Sequence, residues 1–534
     1  MINKKEFEEA AEKVGLNLSL EGFEDYLRDE SKFVGHAHSM IRAKHEIDVS
    51  NALRLASRFR TPLTVVSGKT SITGASAPLG GVILNVRELN WIDEDNVENA
   101  GVGVVLKDYK RMVEEKGYFY PPDPTSEDSC TLGGTIACNA SGSLSYLYGP
   151  TREFINGLRV ALPDGSVIDV ERGQHFSSDG IFRIKPGAIG GDLERELVIP
   201  VPNIPQKPWR EVKNAAGLFY SQPMDLIDLF IGGEGILGVA LRAKTRLLTK
   251  RKPYFALMIF LPSRQAIVSL IWTVDLIRRR FHSDQTCGIE PGLNNEKASS
   301  DFCGGDLIEF ATIRPSCMEW FGSSTGILLD GSHAEKLKRY YGALYIEQEY
   351  SDREDMEMKF EKWSELLENL QGRDAIGSLE TEAATDEKHL RALRLERIRV
   401  PERLNELIKP GLRKIGTDLA VPMNKLDLLM KMYDDNLPEG ASFVFGHIGN
   451  AHLHANILAQ QAHQIDHYTD LHLKMAKYVC SIGGSVSGEH GIGKLKKKIL
   501  RTMIGDSGLA QIRKVKSALD PNWILNPGNM IDHD

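Results

Sequence analysis

Pro62-Leu63-Thr64-Val65-Val66-Ser67-Gly68-Lys69-Thr70-Ser71-Ile72-Thr73-Gly74-Ala75-Ser76 begins as a strand and ends as a loop. Its first five residues are apolar and β-branched, the pattern of a buried strand. The residues that follow have the chemistry of a phosphate cradle. Glycine lets the backbone approach an anion closely, amides and hydroxyls donate, and Lys69 adds positive charge. A nucleoside-triphosphatase P-loop would need glycine at position 63, where Leu63 stands, so that reading is disfavoured. Alone, such a loop serves equally well as a turn. A second glycine- and hydroxyl-rich segment, Thr131-Leu132-Gly133-Gly134-Thr135-Ile136-Ala137-Cys138-Asn139-Ala140-Ser141-Gly142, follows the rigid turn Tyr120-Pro121-Pro122-Asp123-Pro124-Thr125. The pair suggests a dinucleotide held by backbone amides, and neither segment fits the Gly-x-Gly-x-x-Gly of a Rossmann site.

The surrounding chain has 534 residues, 42% apolar and 26% charged, with a formal net charge of -8. Its length allows roughly two to four domains, and its acidic balance argues against nucleic acid as the main partner. The N-terminal residues lack the apolar core of a signal peptide, and no uninterrupted apolar segment is long enough to span a bilayer. Six cysteines, Cys130, Cys138, Cys287, Cys303, Cys317 and Cys480, form no Cys-x-x-Cys. Neither a zinc ribbon nor a ferredoxin-type cluster is therefore written locally, and scattered thiols fit a reducing compartment. The expected location is cytoplasmic, with peripheral contact at the inner membrane face left open.

Apolar periodicity predicts a largely helical start, with helices over 4–14 and 51–59, the second capped from Asp48-Val49-Ser50-Asn51. Strands follow at 81–86 and 99–105, and a helix at 106–116. From residue 251 the pattern gives a strand at 253–261, a helix at 264–280, a polar turn at 330–336, a strand at 343–347 and a helix at 352–370. Arg391, Arg394, Arg397 and Arg399 lie in a run predicted to be helical up to Pro401. Strand–helix alternation of this kind suits an α+β unit with helices on one sheet face.

A cluster stands near the end of the chain: Phe445-Gly446-His447-Ile448-Gly449-Asn450-Ala451-His452-Leu453-His454, then Ser487-Gly488-Glu489-His490-Gly491. Ala441 to Phe445 reads as a buried strand. Imidazole and carboxylate ligate divalent ions and serve as bases near neutral pH. On a strand His452 and His454 share one face and Leu453 the other. Any one of these histidines taken singly reads as an ordinary core or surface residue; the cluster reads as a site.

Taken in order, the loop at 67–74, the segment 121–142, Tyr148-Gly149-Pro150-Thr151-Arg152-Glu153, Gly157 to Gly165 and Phe230-Ile231-Gly232-Gly233-Glu234-Gly235-Ile236-Leu237-Gly238 resemble the FAD domain of the vanillyl-alcohol oxidase (PCMH-type) flavoprotein superfamily. The resemblance implies two small α+β subdomains clasping FAD, with pyrophosphate at 67–74 and the flavin near 131–142. The cofactor-binding residues it implies begin with Ser67, Gly68, Lys69, Thr70, Ser71, Thr73 and Gly74. Pro121, Leu132, Gly133, Gly134, Cys138, Asn139, Ser141, Gly142 and Tyr148 follow, then Glu234, Gly235 and Asn526. Some members attach FAD to a histidine in or near the first loop. Between residues 39 and 174 only His45 is present, so the FAD is expected to be noncovalent. The first loop departs from the family's triple glycine at Ser67 and Lys69, which makes Lys69 an extra pyrophosphate contact. His175 reads as an exposed loop residue without a role.

The C-terminal half resembles a narrower group, the FAD-linked 2-hydroxyacid dehydrogenases that act on D-lactate, D-2-hydroxyglutarate and glycolate. Arg397 stands at the group's arginine before a proline, where a guanidinium would grip a carboxylate. Asp418-Leu419-Ala420-Val421-Pro422 matches its Asp-x-x-Val/Ile-Pro strand. Its G-H-x-G-D-G-N-L-H and G-E-H-G motifs imply His447, His454 and Glu489 as ligands of a divalent metal, zinc by the group's habit, and His490 as catalytic base. Asn450, Ala451 and His452 depart from that pattern. His452 could be a fourth ligand, a second base or a substrate hydrogen-bond donor; with Asn456 and Lys414 it completes a substrate-facing set. Asp520-Pro521-Asn522-Trp523-Ile524-Leu525-Asn526-Pro527-Gly528-Asn529 resembles the family's closing motif, with Asn529 in place of a lysine.

The architecture so implied is α+β. An N-terminal helical extension (1–39) precedes the PCMH-type FAD-binding domain (40–250). A substrate or cap domain (251–470) follows, and then a C-terminal helical segment (471–534) returns to the FAD domain. The expected reaction is oxidation of a small-molecule D-2-hydroxyacid to the 2-oxoacid, with hydride passing to flavin N5 and a metal orienting the substrate. Electrons then leave to an electron-transfer protein, a quinone or oxygen, and a homodimer is compatible with the sequence. The alternatives are an oxidase or dehydrogenase of another alcohol, and a flavin electron-transfer subunit that does not turn over.

Overall fold

The computed structural model describes residues 4–189, 195–204, 212–282, 307–372 and 375–533. Cys287 and Cys303 lie outside the described residues. The first sheet has Ser39–Arg42, Val82–Asn85 and Leu63–Val66 in parallel, with Leu18–Ser19 antiparallel on the outer side of Ser39–Arg42. Helices Lys4–Lys13 and Glu46–Phe59 put Phe7, Ala11, Val49, Leu53 and Ala56 into one core with Leu63, Val82 and Leu84. Residues 4–39 therefore differ from the expected helical extension: they add one short helix and a strand to the first subdomain. The second helix also starts earlier than its apolar spacing suggests. Asp48 accepts from the N–H groups of Lys44 and His45 at 2.9 and 3.0 Å, so the cap lies upstream of the run that advertised it.

The second sheet is antiparallel, in the order Asn99–Gly101, Val239–Thr245, Ile155–Ala161, Val167–Glu171. Between the two sheets the Ser67–Gly74 loop leaves the end of Leu63–Val66, and helix Leu132–Cys138 begins where Thr131 Oγ1 accepts from Gly134 N–H. The chain's tail closes this unit. Leu63 N–H donates to Ile524 O at 2.7 Å, Asn526 N–H donates to Leu63 O at 2.8 Å, and Val65 N–H donates to Asn526 Oδ1 at 2.8 Å. Strand Leu63–Val66, which feeds the glycine loop, is thus paired on both edges.

The third sheet is antiparallel throughout, in the order Glu380–Ala384, Tyr254–Leu261, Gly342–Glu349, Pro315–Gly322, Ser442–Gly446, His452–Leu458, Lys414–Gly416, with Leu419–Ala420 also pairing on His452–Leu458. Helices Arg264–Phe281 and Arg353–Gly372 pack their apolar stripes on it. Two local expectations change. Residues 331–337 form a helix, with Ala334 and Leu337 turned to the core, where their three-residue spacing was hidden among polar neighbours. Helix Glu387–Glu406 also runs through Pro401 instead of stopping there. Proline removes the hydrogen bond to the Arg397 carbonyl, but buried Val400 and Leu404 hold the helix against the sheet on either side. No described helix is long and apolar enough to cross a membrane.

Lys516 lies under the closing tail. Its buried ammonium donates to Ile236 O at 2.8 Å, Leu525 O at 2.9 Å and Asp520 Oδ2 at 2.5 Å. Lys516→Met leaves the buried Asp520 carboxylate with two backbone N–H donors but no cation, so urea denaturation should show a loss of about 3–5 kcal/mol. An unchanged midpoint would show that the tail is not held by this cation.

Candidate active site

A cavity of about 1340 Å³ runs from the glycine loops to the third sheet. Sites for drug-sized ligands are roughly 300–1,000 Å³, so this one has room for a dinucleotide and a small acid together. Ser67, Gly68, Lys69, Thr70 and Ser71 line it, as do Gly133, Gly134, Cys138 and Ser141 and then Glu234, Gly235 and Asn526. Thr73, Gly74, Pro121, Leu132, Asn139, Gly142 and Tyr148 lie outside its lining. They shape the walls instead: Asn139 Oδ1 accepts from Arg152 N–H, and Tyr148 donates to Glu349 at 2.8 Å. A Cβ on Gly142 would sit 2.1 Å from Asp123 O.

The cradle fits a dinucleotide phosphate. A Cβ on Gly68 would lie 2.6 Å from Ser129 O, and one on Gly133 would lie 2.7 Å from Val102 Cβ, so only glycine lets these segments close up. Lys69 lines the cavity and also has partners at its rim. Its ammonium donates to Asp25 O at 3.0 Å and stands over the Tyr26 ring. At the far end of the tail, Asn529 Oδ1 accepts from Lys494 Nζ at 2.6 Å.

His447, His454 and Glu489 meet at the opposite end of the cavity, where strand Ser442–Gly446 turns into His452–Leu458 and the Ser487–Gly491 loop passes over them. His447 Nε2 and His454 Nε2 each lie 3.1 Å from a Glu489 carboxylate oxygen. Their outer nitrogens are tied back, His447 Nδ1 to Glu319 Oε1 at 2.7 Å and His454 Nδ1 to Thr417 O at 3.4 Å. Inward-facing nitrogens with outward hydrogen bonds are the usual arrangement of metal-binding imidazoles, and the donor set fits a divalent ion, which would take the place of protons on those nitrogens. Burial opposes a charge on His447, yet Glu319 and Glu489 raise its pKa to about 9. Burial lowers His454. Burial works against ionisation of Glu489, but His447 and Lys213 hold it well below the usual carboxylate range. Lys213 Nζ and Ser141 Oγ both donate to Glu489 Oε2, at 2.7 and 3.1 Å.

His490 faces the cavity, and its Nδ1 lies 3.2 Å from Asp418 Oδ1. Asp418 is fully buried. Burial would raise its pKa, but His490 and Lys496 pull it well below the usual range. The Ser487–Gly491 loop is also clamped just past its end: Glu234 Oε1 and Oε2 accept from Ile492 and Gly493 N–H at 2.6 and 2.7 Å. Arg397, Lys414 and Asn456 line the cavity as well, whereas His452 does not. Arg397 stands 3.7 Å from Asp123, and its Nε has no hydrogen-bond partner among the described residues. Burial opposes its charge, but Asp123 and the acidic groups behind it raise its pKa. The Lys414 ammonium has no hydrogen bond or ion pair among the described residues, and burial lowers its pKa to about 8.

Sequence reasoning assigned no role to Asp418, Glu319 or Lys213. Asp418 lay in a quoted motif and could have been singled out there. Glu319 and Lys213 are isolated acidic and basic residues with no local pattern to mark them.

Residues 315–530 match the family "FAD linked oxidases, C-terminal domain", and residues 37–171 match the family "FAD binding domain". Among curated proteins, the glycolate oxidase subunit GlcD of Bacillus subtilis is 25% identical over 93% of this chain and 89% of its own length. The D-lactate dehydrogenase of Anaerostipes hadrus is 24% identical over 95% and 92%. The D-2-hydroxyglutarate dehydrogenase of Stutzerimonas stutzeri is 25% identical over 95% and 93%. Among solved structures, p-cresol methylhydroxylase with substrate bound superposes at a TM-score of 0.69, with 13% identity over 100% of this chain and 99% of that one. Alkyldihydroxyacetonephosphate synthase gives 0.61 and 14% over 98% and 84%. The chain thus joins an FAD binding domain to the C-terminal domain of FAD linked oxidases, which makes it an FAD-dependent oxidoreductase, and its fold is that of p-cresol methylhydroxylase.

Gly68→Ala should force the first loop away from Ser129 and lower the FAD content of purified protein, read as flavin absorbance per chain. Full occupancy in that variant would show that the close approach is not needed for binding.

Proposed function

We propose that this protein oxidises a D-2-hydroxyacid to the corresponding 2-oxoacid. The observation that carries the reading is the placement of His490. Its imidazole is tethered by a buried carboxylate, opens into the cavity that the glycine cradle lines, and stands beside the His447–His454–Glu489 donors. Nδ1–H donated to Asp418 leaves Nε2 free to accept a proton. Arg397 and Lys414 are the cations that would hold the substrate's carboxylate oxygens, and Asn456 adds a hydrogen-bonding amide. His490 takes the hydroxyl proton as the C2–H bond breaks and the carbonyl forms.

Noncovalent FAD, when bound, supplies the acceptor for the hydride leaving C2. His447, His454 and Glu489 would hold a divalent ion, which supplies Lewis acidity toward the hydroxyl. The curated relatives' names support the substrate class: glycolate, D-lactate and D-2-hydroxyglutarate are all 2-hydroxyacids. The reduced flavin needs a separate acceptor, an electron-transfer protein, a quinone or oxygen. The working location is cytoplasmic.

Under anaerobic rapid mixing, His490→Ala should slow flavin reduction by about 10²–10⁴-fold while FAD stays bound. Near-normal reduction in that variant would remove His490 from the mechanism. Lys414 gives a pH dependence. Below about 8 its ammonium is charged and attracts the substrate anion; above that it is neutral and the attraction is lost. KM should therefore rise as pH passes through about 8, and Lys414→Arg, which stays charged, should flatten the rise. An identical profile in both proteins would exclude Lys414 as the anion's partner.

A further inference from the structure

His452 is the cluster residue that departs from the family motif, and its surroundings decide among the roles its position allows. Its side chain is 0% exposed and is absent from the cavity lining, so it reaches neither a substrate proton nor a substrate oxygen. A second base and a substrate donor are both excluded. Nε2 lies 2.8 Å from Asp418 Oδ1. A carboxylate oxygen at that distance takes the ring's N–H, so Nε2 is the donor and Nδ1 is left with the lone pair. Nδ1 is buried and has no hydrogen-bond partner among the described residues. A buried polar atom left unpaired is costly, and the ring is fitted tightly where it stands: a Cβ on Gly488 would lie 2.6 Å from Nε2, so only glycine leaves it space.

The His452 ring centroid stands 4.5 Å from that of His454 and 5.4 Å from that of His447. Ligand atoms offered by His447, His452, His454 and Glu489 all lie within 4.8 Å of one another. His447 and His454 each tie one nitrogen to an oxygen acceptor and turn the other inward, and His452 repeats the pattern with Asp418 as acceptor. We infer that His452 is a fourth protein ligand, making this a three-imidazole, one-carboxylate metal site. The inference rests on the proposed function for the metal's presence and goes beyond it in two respects. It turns the departure from the motif into part of the donor set. It also changes the class of ion, because four protein donors would close a four-coordinate zinc site. A substrate chelating through carboxylate and hydroxyl needs two more positions, which an ion such as Mn²⁺ or Co²⁺ accommodates at higher coordination number.

The test reads metal binding without substrate, so its outcome is separate from that of the oxidation. Flavin-loaded full-length protein, His452→Asn and Glu319→Gln are titrated with Co²⁺ against a competing chelator, and visible Co²⁺ bands are recorded. Loss of an outer hydrogen-bond partner such as Glu319 typically costs about 10–100-fold in affinity. His452→Asn should cost more than that and alter the bands, which Glu319→Gln should leave unchanged. Unaltered bands in His452→Asn, a loss no greater than that of Glu319→Gln, or no Co²⁺ uptake by the unmutated protein would each overturn the assignment. Should His452→Asn fail to retain flavin, X-ray absorption on the Co²⁺ form of the unmutated protein decides: three imidazole neighbours support the inference and two contradict it.

Discussion

The Asp418 carboxylate is the constraint on which the site's geometry depends. A buried carboxylate is costly unless it is fully paired, and here the pairing is dense. Oδ1 faces His452 Nε2 and His490 Nδ1; Oδ2 accepts from Ser487 Oγ, His490 N–H and Lys496 Nζ. Strand Leu419–Ala420 pairs with His452 and Leu453 on one side and Ser485 on the other. One anion therefore fixes the strand that carries His452 and His454 and the loop that carries His490. It also orients both rings, since His452 Nε2 and His490 Nδ1 turn toward the same carboxylate oxygen.

Glu234 plays the corresponding part from the flavin side, accepting from Ile492 and Gly493 N–H while its carbonyl accepts from Asn526 Nδ2 at 2.9 Å. The Ser487–Gly493 loop is thus held by a carboxylate at each end, one rooted in the third sheet and one in the FAD-binding region. That double tether keeps the cradle and the histidines in one cavity although the sequence separates them by hundreds of positions.

Much of this was legible in the sequence because its signals are contiguous. Glycines and hydroxyls at 67–71 and 133–141 announce a cradle by composition, and His447, His454, Glu489 and His490 stand in two short motifs. Long-range pairing was not legible. Glu319 and Lys213 are single charged residues whose meaning appears only when the third sheet and the 213 segment meet Glu489. The glycine segments also mark two different tasks with the same residue types: Gly68 and Gly133 line the cavity, whereas Gly142 makes room for Asp123 behind it. Pro401 misled as a stop signal, since its local cost is outweighed by the burial of Val400 and Leu404.

The central claim is that this cavity oxidises a carbon beside a carboxylate by sending its hydride to flavin. It is tested most directly by anaerobic mixing of the flavin-loaded protein with D- and L-2-hydroxyacids, including substrate deuterated at C2. The account predicts bleaching of the oxidised flavin by at least one D-enantiomer, slowed by deuterium at C2. Flavin that stays oxidised with every 2-hydroxyacid, in protein that bleaches with another alcohol, would contradict it.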